Sequence, residues 1–191
     1  MSKERTTAFT DAILAIIMTI LVLELPEPKI LNWAGLWGLR TSFLSYAISF
    51  FWLGIMWIGL HNEWNGIKEV TAGTLWVNML LLFWSSLFPY TTKLVSANFF
   101  NKTAQVFYGI IVILTTLTNI WLSHTLSSDP ANKAERSASE FRQRWLLIDI
   151  CVKIIGLIVT IFWWTPAVMV SLFASAIIIA IPAHIKEAKN A

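Results

Sequence analysis

The sequence predicts an all-α integral membrane protein, and three observations carry that prediction. Of its 191 residues 57% are hydrophobic and only 13% are charged, with a mean hydropathy of +0.66, far outside the range of soluble domains. Six apolar stretches follow one another along the chain, each matched to a hydrocarbon core of about 30 Å. Eleven tryptophans suit the two membrane interfaces, where an amphipathic ring finds an apolar and a wet neighbour together. The net charge of +3 resides in the loops and calls for no nucleic-acid partner. Cys151 is the only cysteine, so no intrachain disulfide can form, and no spacing suggests a metal site or a cofactor-binding loop. Residues 1–191 read as one transmembrane domain.

The first span, about 8–25, organises the rest. Between Asp11 and Glu24 lie twelve uncharged residues, which at ~1.5 Å per residue extend only about 18 Å. The helix must therefore include its charged ends, and both carboxylates should face protein or water, because a lipid-facing charge at membrane depth is costly. With ~100° per residue, Ala12, Thr19, Ile20 and Leu23 fall within about 60° of Ile16, and Asp11 about 140° away. One face is thus an apolar stripe carrying a single hydroxyl. A secretory leader, with Lys3 and Arg5 as its basic start, is the competing reading, but no small-x-small cleavage site precedes Pro26.

Pro26, Glu27 and Pro28 end this helix, and Leu31 to Leu39 forms an amphipathic connection with Trp33, Gly35 and Trp37, expected at the interface. The second span is about 39–60, closed by His61, Asn62, Glu63 and Trp64. A third, about 73–90, carries Asn78 and has Pro89 near its exit, where a bundle tolerates proline. The fourth, about 103–126, contains Thr115, Thr116, Thr118 and Asn119, which can bond neighbouring helices. Ser127 to Arg144 is hydrophilic and reads as a solvated loop or surface helix. The fifth span, about 145–164, holds Asp149 and Lys153 one turn apart as a self-neutralising pair, and Thr165-Pro166 turns into the sixth, about 166–184. Six spans place both termini on one side. That side collects nine basic residues, Lys3, Arg5, Lys68, Lys133, Arg136, Arg142, Arg144, Lys186 and Lys189, against Lys29, Arg40, Lys93 and Lys102 opposite, so both termini are expected in the cytosol.

Arg5, Phe9, Thr10 and Asp11, followed by the order D-A-I-L-A-I-I-M-T-I-L-V-L-E, resemble the R-x-x-x-F-[ST]-D signature and first helix of the transmembrane protein 175 family, potassium channels of endolysosomes with shorter prokaryotic relatives. Trp57 with His61 resembles the end of that family's second helix, although Asn62 stands where a second histidine is common, and Trp76 to Pro89 resembles its third. The last three spans match by number and hydropathy. The resemblance implies a channel whose first helix lines the pore. One copy of the signature per chain implies a homotetramer in the plasma membrane of a prokaryote, passing potassium and other monovalent cations.

On that reading Ile16, Ile20 and Leu23 become stacked apolar rings with Ile16 as gate, and Thr19 a ring of selecting hydroxyls. Glu24 sits at the outer mouth, where it would concentrate cations. Arg5, Phe9, Thr10, Asp11, His61 and Asn78 form a structural polar network in which Arg5 and Asp11 anchor the first helix through His61 and Asn78. Without the resemblance, the stripe reads rather as ordinary helix packing than as a pore lining, and the resemblance reverses that preference. The potassium filter T-V-G-Y-G is absent, so modest selectivity is expected. Catalysis finds no constellation: His61, His124 and His184 all fall at span ends. The rival is a secondary transporter or proton-coupled carrier using the buried Arg/Asp/His network, against which stands the lack of an internal repeat and of paired interrupted helices.

Overall fold

The computed structural model describes residues 2–128, 132 and 136–177, with 136–143 as backbone only. Its helices are α1 (Lys3–Leu23), α2 (Trp33–Gly38), α3 (Arg40–Asn65), α4 (Ala72–Ser86), α5 (Phe88–Ala97), α6 (Lys102–Ser128), α7 (Arg136–Phe162) and α8 (Ala167–Ile177). Regular structure among the described residues is helical. Five stretches are long and apolar enough to cross a membrane: α1, α3, α4 with α5, α6, and Arg144–Phe162 of α7. The eleven residues of α8 begin the sixth expected span; its end, with His184, lies outside the described residues, as do Lys133, Lys186 and Lys189.

Local chemistry sets the boundaries. The last turn of α1 tightens before Pro26, with Glu24 N bonding Leu21 O and Leu25 N bonding Val22 O, i to i−3 pairings that satisfy terminal carbonyls. The Leu31–Leu39 connection is itself helical at its centre because the Asn32 side chain accepts from Gly35 N at 2.7 Å, an N-cap. The third span runs further than its hydropathy suggests: Ala72–Ala97 rather than 73–90. Pro89 lacks an N–H and breaks the ladder one turn upstream, where Leu87 N bonds Trp84 O, yet proline also suits the first turn of a new helix, so α5 continues across the membrane. Lys93 therefore sits in a helix and not in a loop. The hydrophilic segment 127–144 is shorter as a loop than its composition implies, since α6 reaches Ser128 and α7 starts at Arg136.

Packing puts α1 against α3, α4 and α5, while α6 bridges α4 and α5 to α7. At one end Lys3 Nζ donates to Asn65 O, and the Asn132 side chain accepts from Lys68 N at 2.8 Å and donates to Leu126 O at 3.0 Å. At the other, Ser42 Oγ donates to Ser96 O, and Lys93 pairs with Glu24 at 2.7 Å. Among the described residues, contacts between connections thus form in two separate sets. In the middle, Trp52 stacks on Phe88 with centroids 4.9 Å apart, Tyr108 meets Phe88 edge-on, and Ser49 bonds both Tyr108 Oη and Thr92 Oγ1 at 2.9 Å. α7 and α8 approach closely through Gly156, where a Cβ would lie 2.4 Å from Ser171 Cβ.

Candidate functional site

α1 has two faces with opposite fates. Thr6, Thr10, Leu14, Ile17 and Leu21, spaced by three and four residues, are buried against α3, α4 and α5. The stripe on the other side is left uncovered by the chain: Ile16 is 56% exposed, Ile20 37% and Leu23 78%, and Thr19 is exposed between them. A membrane-length helix that presents three large aliphatic side chains and a hydroxyl away from its own fold needs lipid, another subunit or a water-filled path on that side. Thr19 Oγ1 donates to Ile16 O at 2.8 Å, which occupies its only proton within the helix and leaves the oxygen lone pairs facing outward.

The polar network forms, with different partners from those expected. Asn78 Nδ2 donates to Thr10 Oγ1 at 2.8 Å, and that hydroxyl donates in turn to Thr6 O at 2.9 Å, joining α4 to the buried face of α1. Asp11 is held by Trp57, whose indole N–H donates to Oδ1 at 2.8 Å. The expected link from Asp11 to His61 is not made within the chain. Trp57 stands level with Asp11, and His61, one turn further along α3, instead packs its ring against Trp57 with centroids 5.7 Å apart. Nor do Arg5 and Asp11 meet: six residues apart at ~100° each, their side chains leave α1 about 120° from one another. Arg5 faces a groove of about 540 Å³ that it shares with Phe9, Trp76, Met79 and Asn78. Among the described residues the Arg5 side chain has no hydrogen-bond or ion-pair partner.

Glu24 is not a free carboxylate at the end of α1. Its pairing with Lys93 at 2.7 Å, partly exposed on both sides, offsets most of the field it would cast on its own. Two functional positions thus escaped the sequence reading, Trp57 as a hydrogen-bond donor and Lys93 as a counter-charge. The first had a legible signal, since an indole N–H on an apolar helix must find an acceptor. The second depended on α5 extending past Pro89.

A model of the family described as "Endosomal/lysosomal potassium channel TMEM175" matches residues 5–89, which take in α1 from Arg5 onward, α2, α3 and α4 and the residues expected in the polar network. A potassium channel of Chryseobacterium sp. (strain P1-3) is 33% identical over 166 residues, covering 85% of this chain and 85% of that one. The chain belongs to the TMEM175 family. Further members include a potassium channel of Streptomyces collinus, 31% identical over 59% of each chain, and the mouse protein named "Endosomal/lysosomal proton channel TMEM175", 29% identical over 51% of this chain but only 22% of its own length. The fold is that of the TMEM175 homolog from Chamaesiphon minutus, described as a lysosomal potassium-selective channel: its crystal structure superposes with a TM-score of 0.71 over 94% of this chain and 97% of that one, at 23% identity. The uncovered stripe and the hydrogen bonds that fasten α1 to α3 and α4 thus lie on different sides of one helix.

Proposed function

We propose that this TMEM175 member is a potassium-permeable, modestly selective cation channel, assembled as a homotetramer with α1 of every subunit lining a central pore. The observation that carries the reading is the exposed stripe of Ile16, Thr19, Ile20 and Leu23 on a helix whose opposite face is fully packed. Symmetric assembly would turn each position into a ring. Rings of isoleucine exclude water from a narrow path, so Ile16 forms the gate by dewetting, and Thr19 supplies oxygen ligands beside it. Relatives named potassium channels, one of them matching over most of both chains, support the choice of ion. The bacterial sources of those relatives support a plasma-membrane location, with both termini in the cytosol by the distribution of basic residues.

Behind the stripe, the Thr10–Asn78 and Asp11–Trp57 bonds hold α1 to α4 and α3 and so fix which way the rings point. Arg5 and Phe9, on the uncovered side of the groove, are placed to meet a neighbouring subunit. Purified protein in liposomes, offered potassium, sodium, protons and a large organic cation in turn, tests the proposal. Potassium flux exceeding sodium flux by a modest factor, exclusion of the large cation and discrete current steps are expected. Saturable, substrate-dependent exchange without such steps would instead identify a carrier built on the same network.

A further inference from the structure

Away from α1, the charges of Asp149 and Lys153 sit in the packed interior of α7, each 1% exposed, at a point where α7 meets α6 and α3. Lys153 is well served. Its ammonium donates to Asp149 Oδ2 at 2.5 Å and to Thr116 Oγ1 of α6 at 2.8 Å, and it lies 4.6 Å from the centre of the Trp52 ring of α3. Asp149 is only half served: Oδ1 is buried with no hydrogen-bond partner. A buried carboxylate oxygen left so costs more than a neutral group would, and native structures seldom tolerate it without a ligand. Beside it is a cavity of about 50 Å³ lined by Asp149, Thr116, Asn119, Trp52, Met56 and Gly59.

We propose that this cavity is a hydration site, holding ordered water bound to Asp149 Oδ1 and bridging α7 to α6. Size and chemistry both select water. With about 10–15 Å³ needed for each molecule, the space of about 50 Å³ admits roughly three to five, and drug-sized ligands need several hundred. The Asp149–Lys153 pair is neutral as a whole, so a cation entering would face the ammonium and an anion the carboxylate, each stripped of its own hydration. Thr116 Oγ1 already accepts from Lys153, which leaves the hydroxyl proton available to donate. The ligand must therefore donate to Asp149 and accept from Thr116, and water does both. No α1 residue lines the cavity, whose walls come from α3, α6 and α7.

The decisive experiment is a crystal structure of the full chain at a resolution that shows water, from crystals grown with rubidium replacing potassium. Density at hydrogen-bonding distance, ~2.7–3.2 Å, from Asp149 Oδ1 and without an anomalous rubidium signal is expected. A rubidium peak there would make it a cation site, and absence of density would refute any bound ligand; either overturns the proposal. The double variant Asp149→Leu/Lys153→Met removes both charges together, a change that buried ion pairs often tolerate. The water peak should vanish from it, and its persistence against Thr116 and Asn119 would show that Asp149 is not the host.

Discussion

Thr19 has spent its only proton on Ile16 O, so what it offers away from α1 is oxygen, the atom that a dehydrated cation requires. Thr19→Ala should leave conduction intact and narrow the potassium-to-sodium permeability ratio, which reversal potentials in a planar bilayer will read. Ile16→Asn should raise conductance and leak by wetting the constriction; unchanged conductance would move the gate outward to Ile20 or Leu23. Trp57 makes a different kind of prediction. Its indole is the donor to Asp11, and a hydrogen bond to a charged group contributes about 1.5–3 kcal/mol, towards the lower end here because the bond is partly exposed. Trp57→Phe should therefore lower the melting temperature of the assembled protein by a few degrees, whereas His61→Phe, which keeps the ring packing on Trp57, should change it less. Both the stripe and the network could be listed from the sequence, because helical periodicity assigns residues to faces. Their partners could not: whether Asp11 meets His61 or Trp57 depends on how far α1 slides along α3, and no local pattern encodes that offset.

The helices carry consequences that no single residue does. α4 and α5 act as one span with a break at Ser86–Leu87, and that continuity brings Lys93 to the C-terminal end of α1. Lys93→Gln should free the Glu24 carboxylate to attract cations, increasing conductance at low ionic strength and losing the effect as salt rises and the Debye length shrinks from ~30 Å at 0.01 M to ~8 Å. A variant with the same conductance at both salts would show that Glu24 is remote from the ion path. α7 and α8 depend on contact too close for any side chain at Gly156. Gly156→Leu should separate them and cost at least the ~1–3 kcal/mol typical of overpacking, measured as loss of monodisperse protein on gel filtration. Composition alone made the third span too short, since Tyr90, Thr91, Thr92 and Lys93 read as an exit; proline at the start of a fresh helix restored the length.

At the scale of the molecule, the topology and the assembly are the properties to measure. Ser139→Cys, near the start of α7, should react with a membrane-impermeant thiol reagent only after the cytosolic side is opened. Mass measurement in detergent should give a tetramer, and a monomer as the largest species would remove the central pore. The membrane class, the order of the apolar stretches and the residues shared with the TMEM175 family were all legible in the sequence itself. The first two follow from composition and short-range periodicity, which the bilayer's thickness and the absence of water within it translate almost directly into helices, and the third from a likeness of residues to a known family. What only the tertiary structure decided is which side chains meet: Thr10 with Asn78, Asp11 with Trp57, Glu24 with Lys93, and Lys153 with Thr116 across to α6. Those pairs are separated by between 37 and 69 positions in the chain, and they form only once helix crossings and axial offsets have been set by the packing of whole faces, a property of the bundle that no stretch of sequence holds alone.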